Sequence, residues 1–166
     1  QSGHIAAVGY DMYCRLLDRA VKQLRNEATA APSETSVEIG VRAVIPKAYI
    51  PSDRRRLEAY RRLAVAETAE ELARVERDLA NAYGPLPDPV QRLIGLAAVR
   101  VGARLVGVRS IFVRERDVIL RTADGPATVE RFTGAPGKAT LLPSASPDQP
   151  AEVYYLSLIH ISEPTR

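Results

Sequence analysis

Apolar residues recur at helical spacing between residues 52 and 64, in the sequence SDRRRLEAYRRLA. Ser52 is placed to cap this helix, and Asp53 puts a negative charge in the first turn, where it meets the positive end of the helix dipole. The apolar positions fall on one side and predict a buried stripe that consists of Leu57, Tyr60, Leu63 and Ala64.

A second amphipathic helix is predicted directly after the first. Thr68 and Glu71 have the spacing of a capping box, and Gly84 can end the helix in a left-handed conformation. The two helices therefore predict a hairpin whose apolar stripes face a shared core. The inner face of the second helix consists of Leu72, Val75, Leu79 and Ala82.

The third helix is predicted from Pro89 to about Val106. Asp88 is placed at its cap, Pro89 at its first position, and Gln91 where a capping box has its glutamine. This helix is apolar on nearly every side, with only arginines as a polar edge, so we expect it to be buried against several neighbours.

Other elements precede this three-helix cluster. A loop leads into an amphipathic helix that is predicted from Tyr10 to Leu24, and residues 27–36 form a small, polar linker that is interrupted by Pro32. From Val37 to Ala43 apolar and polar residues alternate, which predicts a half-buried strand.

The pattern changes to a period of two after Gly107. The sequences VRSIFVRER and DVILRTADG predict two antiparallel strands that are joined by a tight turn near Glu115–Arg116, with Asp124–Gly125 closing the second strand. ATVERF is expected to form a third strand, and a short strand is expected from Lys138 to Leu142. The predicted fold class is α+β: a helix and a linker, then a strand, three helices and a small antiparallel sheet.

Composition places the chain among soluble globular proteins. It has 166 residues, of which 46% are hydrophobic and 26% charged, and a mildly basic net charge of +3. No apolar run reaches the roughly 20 residues that a membrane-spanning helix needs, and the first residues lack the pattern of a secretory signal. Cys14 is the single cysteine, which excludes an internal disulfide and fits a reducing cytoplasm. We expect a cytoplasmic protein with no membrane partner.

No set of residues predicts an active site. The sequence GAPGKAT resembles a phosphate-binding loop, but Phe132 and Ala139 stand where that motif needs glycine and Ser or Thr, so a flexible surface loop is the better interpretation. His4 and Cys14 are isolated, and no residues have the spacing of a metal-ligand set. We expect no catalytic residue, cofactor or metal in this chain.

The arginines of the first hairpin helix allow two interpretations. They could contact nucleic-acid phosphates, but only 5% of the residues are aromatic and no tyrosine alternates with the arginines as a stacking platform. They could instead form a mixed-charge face, either solvated and balanced by the acidic helix beside it or used to bind a protein. The residues concerned are Arg54, Arg55, Arg56, Arg61 and Arg62.

The tail LSLIHISEPTR, residues 156–166, is unlike the sequence before it. It resembles the translated read-through of a transposase adapter that is used to prepare sequencing libraries. We therefore expect the natural sequence to stop at or before Tyr155 and His160 to carry no function. A final amphipathic strand is the alternative that the pattern of LSLIHI allows.

Three segments together resemble one protein family. QSGHIAAVGYDMYCRLLDRAV, VIPKAYIPSDRRRLEAYRRLA and AYGPLPDPVQRLIGLAAVRVGARLVGV follow, in the same order, the C-terminal end of the bacterial transcription-repair coupling factor family, the Mfd family. The resemblance covers nearly all of residues 1–155. After Arg109 the sequence diverges from the family pattern, and we expect the last part of the domain to be missing.

The resemblance implies a fragment of a motor. Proteins of that family are large cytoplasmic ATP-dependent DNA translocases that push stalled RNA polymerase off DNA and recruit UvrA. Residues 1–26 would be the end of a translocation motif shared with the RecG helicase, in which Gln1, Ser2 and Gly3 form a motor-coupling loop. Residues 27–36 would be a linker, and residues 37–155 the C-terminal regulatory domain. ATP and Mg²⁺ would belong to the parent protein, since this chain lacks its nucleotide-binding loop.

The resemblance also implies partners. In the family, the regulatory domain docks on the N-terminal module that binds UvrA and masks it, while RNA polymerase, UvrA and duplex DNA are partners of the full-length protein. Because charged rims orient an interface, we hypothesise that Arg54, Arg55, Arg61 or Arg62 contribute to this docking. The alternative function is a basic helical module that binds nucleic acid.

Overall fold

The computed structural model describes residues 35–41, 43–115, 117–142 and 150–157. These residues form helices and a mixed sheet, which confirms the α+β class. The helix predicted from Tyr10 to Leu24 lies outside the described residues, as does nearly all of the predicted linker. The elements are β1 (Ser36–Glu38), α1 (Asp53–Val65), α2 (Ala69–Tyr83), α3 (Asp88–Leu105), β2 (Val108–Arg114), β3 (Asp117–Thr122), α4 (Gly125–Glu130), β4 (Gly137–Leu142) and β5 (Ala151–Ser157).

The chain divides into two compact units, with boundaries at Gly40/Val41 and at Val101/Gly102. The first unit contains α1, α2 and most of α3, which is the predicted three-helix cluster. The second contains the five-stranded sheet and α4.

The ends of α1 and α2 follow the sequence closely. The Ser52 hydroxyl accepts a hydrogen bond from the Arg55 N–H (3.4 Å), and the Thr68 hydroxyl accepts one from the Glu71 N–H (3.2 Å). Gly84 ends α2 with φ +86°, a conformation that favours glycine. The caps at Ser52 and Thr68 and the end of α2 at Gly84 are therefore confirmed. The predicted capping box is confirmed only in part, because the Glu71 carboxylate accepts from the Glu67 N–H and not from that of Thr68.

Helix α3 begins at Asp88, one residue before the predicted start. The residue before the helix, Pro87, and not Asp88 takes the cap position, because the Pro87 carbonyl accepts the first hydrogen bond of the helix, from the Gln91 N–H (3.1 Å). The Gln91 side chain does not close a capping box and instead donates to the Leu86 carbonyl (2.8 Å).

The buried side of each helix differs in detail from the prediction. In α1 the buried residues are Ala59, Tyr60 and Leu63, whereas Leu57 is 38% exposed. The inward face of the helix passes through Ala59 and Tyr60, one turn before Leu63, and not through Leu57. Helix α3 is not buried on nearly every side, and Leu105 at its end is 78% exposed. Its buried residues are Val90, Leu93, Leu96, Ala97, Val101 and Ala103.

Strand β1 is shorter than the predicted strand from Val37 to Ala43. It ends at Glu38, and Gly40 has φ +70°, which breaks the extended conformation. Val37 is buried opposite Ile111 of β2, but Val41 is exposed.

The sheet has the order β1-β2-β3-β5-β4. β1 runs parallel to β2, and every other neighbouring pair is antiparallel, so the predicted antiparallel sheet carries one parallel strand at its edge. The predicted tight turn between β2 and β3 contains Glu115, which has φ +58°, and Arg116, which lies outside the described residues. The predicted strand at residues 138–142 is confirmed as β4.

The predicted third strand, ATVERF, is wrong. These residues belong mostly to the short helix α4, because the Asp124 carboxylate accepts a hydrogen bond from the Ala127 N–H (3.0 Å) and Pro126 stands in the first turn. The Thr128 hydroxyl also donates to the Asp124 carbonyl (2.6 Å). Asp124, Gly125 and Pro126 therefore start a helix, in addition to following the end of β3.

The strand β5, which lies between β3 and β4, was not predicted from the sequence. Val153 at its centre is fully buried. Leu156, which the sequence analysis assigned to the tail, pairs with Asp117 of β3 and Lys138 of β4. The final strand that the pattern of LSLIHI allowed shares only Leu156 and Ser157 with β5, which begins at Ala151, and its other residues lie outside the described part of the chain.

Gly137 at the start of β4 lies in a crowded place. A Cβ atom there would lie 2.6 Å from the Leu156 carbonyl oxygen and 2.6 Å from the Tyr155 ring. The Tyr155 ring is held in place, since it contacts the Phe132 ring (centroids 4.7 Å apart) and its hydroxyl donates to the Pro136 carbonyl (3.2 Å). The neighbours of Gly137 therefore have little room to move.

We expect Gly137→Ala to lower the free energy of unfolding by about 1–3 kcal/mol, because the added methyl group would force the Leu156 backbone and the Tyr155 ring to move. Gly95→Ala is the matched control: Gly95 lies exposed within α3 with nothing within 4 Å of an added Cβ. This control should raise stability by about 0.5–1 kcal/mol through helix propensity. Urea denaturation of the chain measures both, and a Gly137→Ala protein as stable as wild type would contradict the crowding.

Two tyrosines attach the segment before α1 to the helices. The Tyr60 hydroxyl accepts a buried hydrogen bond from the Ile45 N–H (2.7 Å). The Tyr49 hydroxyl donates to the carbonyls of Leu79 (3.1 Å) and Gly84 (3.0 Å) at the end of α2. Burial raises the pKa of both tyrosines, so both hydroxyls stay protonated at neutral pH.

We expect Tyr60→Phe to destabilise the chain by about 1–3 kcal/mol, because it leaves the buried Ile45 N–H without an acceptor. Tyr83→Phe is the control and should be nearly neutral, since the Tyr83 hydroxyl makes no hydrogen bond within the described residues. Burial raises the pKa of Tyr60 in the folded state, so folding favours the protonated hydroxyl. The difference in stability between wild type and Tyr60→Phe is therefore full below pH 10.0, the ordinary tyrosine value, and decreases at higher pH, where burying the phenolate costs free energy. Denaturation curves at pH 7 and above pH 10 test the prediction.

Candidate docking surface

The α1–α2 hairpin carries the arginines that the sequence singles out, and the structure divides them into three groups. One group forms ion pairs on the surface, one residue is folded against the backbone, and two side chains have no partner within the described residues. This division decides which cations are available to a partner.

Arg61 and Arg62 are used inside the hairpin. Arg61 binds Glu58 with two hydrogen bonds, from Nε (2.9 Å) and Nη2 (2.6 Å), and the hydrogen bond from Arg61 lowers the pKa of Glu58. Arg62 Nη2 lies 2.5 Å from Asp78 Oδ2 and so joins α1 to α2. Both pairs are open to solvent, and each is worth little stability.

Arg56 is folded back over the start of α1. Its guanidinium pairs with Asp53 and donates from Nη1 to the carbonyls of Ile50 (2.8 Å) and Pro51 (3.2 Å). The side chain is only 11% exposed. It fastens the extended Ile50–Pro51 segment to the helix and is not a surface cation.

Arg54 and Arg55 are exposed, and neither guanidinium makes an ion pair or hydrogen bond within the described part of the chain. Both lie in the first turn of α1. The positive end of the helix dipole disfavours cations there. These two residues, hereafter the arginine pair, are the available members of the four predicted docking residues.

The outer face of α2 is acidic, as the sequence predicts. Its exposed carboxylates are those of Glu70, Glu71, Glu76 and Asp78. Glu71 turns back to accept a hydrogen bond from the Glu67 N–H (2.7 Å), and Asp78 holds Arg62. Arg74 and Arg77 of α2 are exposed as well and make no ion pair within the described residues. The hairpin is therefore a surface of mixed charge whose unpaired cations lie both at the start of α1 and on α2.

Arg100 supports the hairpin and was not singled out in the sequence analysis. Its Nη2 donates to the carbonyls of Leu63 (3.1 Å) and Ala66 (2.7 Å), which closes the C-terminal end of α1. The Arg100 Nε is buried and has no hydrogen-bond partner among the described residues. Only the general preference for cations at helix C-termini could have suggested this role, because the contact joins residues 34 and 37 positions apart.

The remaining sequence candidates lie elsewhere. In GAPGKAT, Gly137 and Lys138 begin strand β4, whereas the glycine–lysine pair of a phosphate-binding loop opens a helix. Within the described ranges, no group of three or more His, Cys, Asp or Glu residues is placed to hold a metal ion. None of the helices described is long and apolar enough to cross a membrane. Outside the described residues lie Gln1, Ser2, Gly3, His4, Cys14 and His160.

Comparisons with known proteins agree on one family. The family model described as TRCF domain matches residues 39–131, which is more than half of the chain and runs past Arg109. The transcription-repair-coupling factor of Mycobacterium bovis is 39% identical over 122 residues, covering 67% of this chain and 10% of that protein. The one from Escherichia coli K12 is 32% identical over 131 residues, covering 75% and 11%. The chain thus spans about a tenth of the length of these relatives.

A solved structure supports the same fold. The crystal structure of a C-terminal domain of transcription-repair coupling factor matches with a TM-score of 0.65, covering 77% of this chain and 84% of that one. The two chains are 14% identical, so this likeness concerns the fold.

A double-mutant cycle of Arg62→Ala and Asp78→Ala should give a coupling energy of about 0.2–1 kcal/mol that decreases with salt, as for other exposed pairs. Arg54→Ala is the matched control and should leave stability unchanged within about 0.5 kcal/mol, because it removes an unpaired cation near the positive end of a helix. Thermal and chemical denaturation measure each variant. If Arg54→Ala destabilised the chain as much as Arg62→Ala, the division of the arginines would be wrong.

Proposed function

This chain belongs to the TRCF domain family, and we propose that it is the C-terminal regulatory part of a transcription-repair coupling factor. Its role is to dock on the module of the same protein that binds UvrA and to mask that module. The observation that carries the proposal is the family match over residues 39–131, because those residues include α1, α2, α3, β2, β3 and α4.

The parent protein in this proposal is a cytoplasmic, ATP-dependent DNA translocase that couples transcription to nucleotide excision repair. ATP and Mg²⁺ bind in its motor, and RNA polymerase, UvrA and duplex DNA are partners of the whole protein. Gln1, Ser2 and Gly3 belong to the loop that couples the motor to DNA movement. The part of the chain described here contributes regulation and no chemical step.

The surface of the hairpin supports a docking role. α1 and α2 are held together by buried apolar residues and by the Arg62–Asp78 pair, and both helices present charged residues to solvent. Charges on a surface of fixed geometry orient a partner and exclude wrong ones. A mask must also release its partner, and contacts between exposed charges are weak enough to allow release.

Removal of residues 37–155 from the full-length protein should increase its affinity for UvrA about tenfold or more. When a site is masked in most molecules, the apparent affinity is the intrinsic affinity multiplied by the fraction of molecules in which the site is open. Isothermal titration calorimetry with purified UvrA measures the change. Unchanged affinity after the deletion would contradict the masking role.

A pair of point variants gives the matched control for this deletion. Leu63 is fully buried and Val65 is 58% exposed on the same helix. Leu63→Asp buries an unpaired charge, so it should unfold the helical unit in place and raise UvrA binding as the deletion does. Val65→Asp adds the same charge at the surface and should leave binding unchanged.

A further inference from the structure

Strand β4, Gly137–Leu142, forms one edge of the five-stranded sheet. It pairs with β5 without a register shift, and no strand of the described residues lies on its other side. Natural proteins commonly protect sheet edges by short strands, prolines, bulges or added charges. The opposite edge strand, β1, has three residues, whereas β4 has six and a single charge, that of Lys138. β4 is therefore an edge that can accept another strand.

Two contacts identify the backbone groups of β4 that point outward. The Leu156 carbonyl oxygen lies 2.6 Å from the position of a Cβ added to Gly137, so this carbonyl is directed at β4. The Gly137 N–H does not bond to β5, because it donates to the Ala135 carbonyl (2.8 Å) in the preceding turn. In an antiparallel pair, every second residue directs its N–H and C=O groups away from the neighbouring strand. Ala139 and Leu141 therefore direct theirs to the open edge.

This pattern is symmetrical about Thr140. When a second copy places its β4 antiparallel to the first, with both Thr140 residues on a twofold axis, Ala139 lies opposite Leu141 of the second copy. Each of these pairs exchanges both backbone hydrogen bonds, so the outward groups of both strands are satisfied. The two Thr140 side chains form a cross-strand pair, and Leu141, which is 38% exposed, lies beside a small alanine.

The charges of the edge also suit a second copy. Lys138 is exposed and makes no ion pair within the described residues. In the symmetrical pairing it lies opposite Leu142 of the second copy and not opposite another lysine. Glu152 is the next residue in that row, since it pairs with Leu142. Lys138 and this glutamate are two strand spacings apart, about 10 Å, which their two side chains can span together.

We propose that β4 is a self-association edge, at which two copies of this chain join their sheets through antiparallel β4 strands with Thr140 on the twofold axis. The occupant is a second copy because the hydrogen-bonding groups, the apolar side chains and the charge of β4 are complementary to β4 itself. One pair of short strands buries a small area, so the association is weak and reversible. The inference does not depend on the proposed masking function.

Cysteine cross-linking of the 166-residue chain tests the register. The two Thr140 residues form a non-hydrogen-bonded pair with Cα atoms about 4.5 Å apart, within the range of a disulfide. Thr140→Cys, in a Cys14→Ser background, should therefore form a disulfide-linked dimer on mild oxidation, which a non-reducing gel detects. Lys138→Cys is the matched control, since its two copies lie about 14 Å apart and should not be linked. Equal cross-linking of the two variants would overturn the proposal.

Sedimentation equilibrium tests the association itself. The chain should show a monomer–dimer equilibrium, and Thr140→Lys should weaken it about tenfold or more, because like charges then stand directly opposite each other. Val113→Lys adds the same charge at an exposed residue of β2, an inner strand, and should associate as wild type does. Equal melting temperatures of the dilute proteins would exclude unfolding as the cause. A chain that stays monomeric at millimolar concentration, or unchanged association of Thr140→Lys, would contradict the proposal.

Amide hydrogen exchange distinguishes a second copy from another cover. The N–H groups of Ala139 and Leu141 should exchange rapidly in the dilute chain and become protected as the concentration rises. Protection that is the same at every concentration would mean that another segment of the same chain covers β4, and the proposal would be wrong.

Discussion

The helical unit depends on side chains that satisfy backbone groups far away in the sequence. Arg100 closes the end of α1, Tyr60 accepts from the N–H of Ile45, and Tyr49 donates to the carbonyls of Leu79 in α2 and of Gly84 just after it. A buried backbone group without a partner costs free energy comparable to a lost hydrogen bond, so these contacts set where each helix can end. They also fix the extended segment before α1, and with it the position of the helix start that carries the arginine pair.

The carboxylates that lie near each arginine of α1 then determine which positive charges the surface presents to a partner. Five arginines lie on one helix, yet their surroundings give them different roles. Arg56 is held by Asp53 and two carbonyls, Arg61 by Glu58, and Arg62 by Asp78. Net charge and composition do not reveal this, since all five have the same formal charge. What matters for recognition is the set of cations that the fold leaves without a partner.

The sequence predicted the helices better than the sheet, for physical reasons that particular residues show. Ser52, Thr68 and Gly84 act within one turn of chain, so their roles can be identified from spacing alone. The start of α4 was misassigned, because Asp124-Gly125-Pro126 suits a strand end and a helix cap equally well. β5 was missed, because its stability comes from pairing with β3 and β4, whose residues lie 29–39 and 10–20 positions before their partners in β5. Of the candidate surface, sequence supplied the arginines but not their partners. Arg56–Asp53 and Arg61–Glu58 lie three residues apart on α1 and could have been identified from spacing, whereas Arg62–Asp78 depends on how α1 and α2 meet.

The position of β5 has a consequence for how the protein is made. β5 is the last strand of the described chain, yet it lies between β3 and β4. During translation β4 is synthesised before β5, so it leaves the ribosome before the strand that lies beside it in the sheet. The helical unit, whose contacts are more local, can assemble during this interval, whereas the sheet must wait for β5 to insert. Any delay between the emergence of β4 and that of β5 would therefore prolong a state in which two strand edges stand open to other nascent chains.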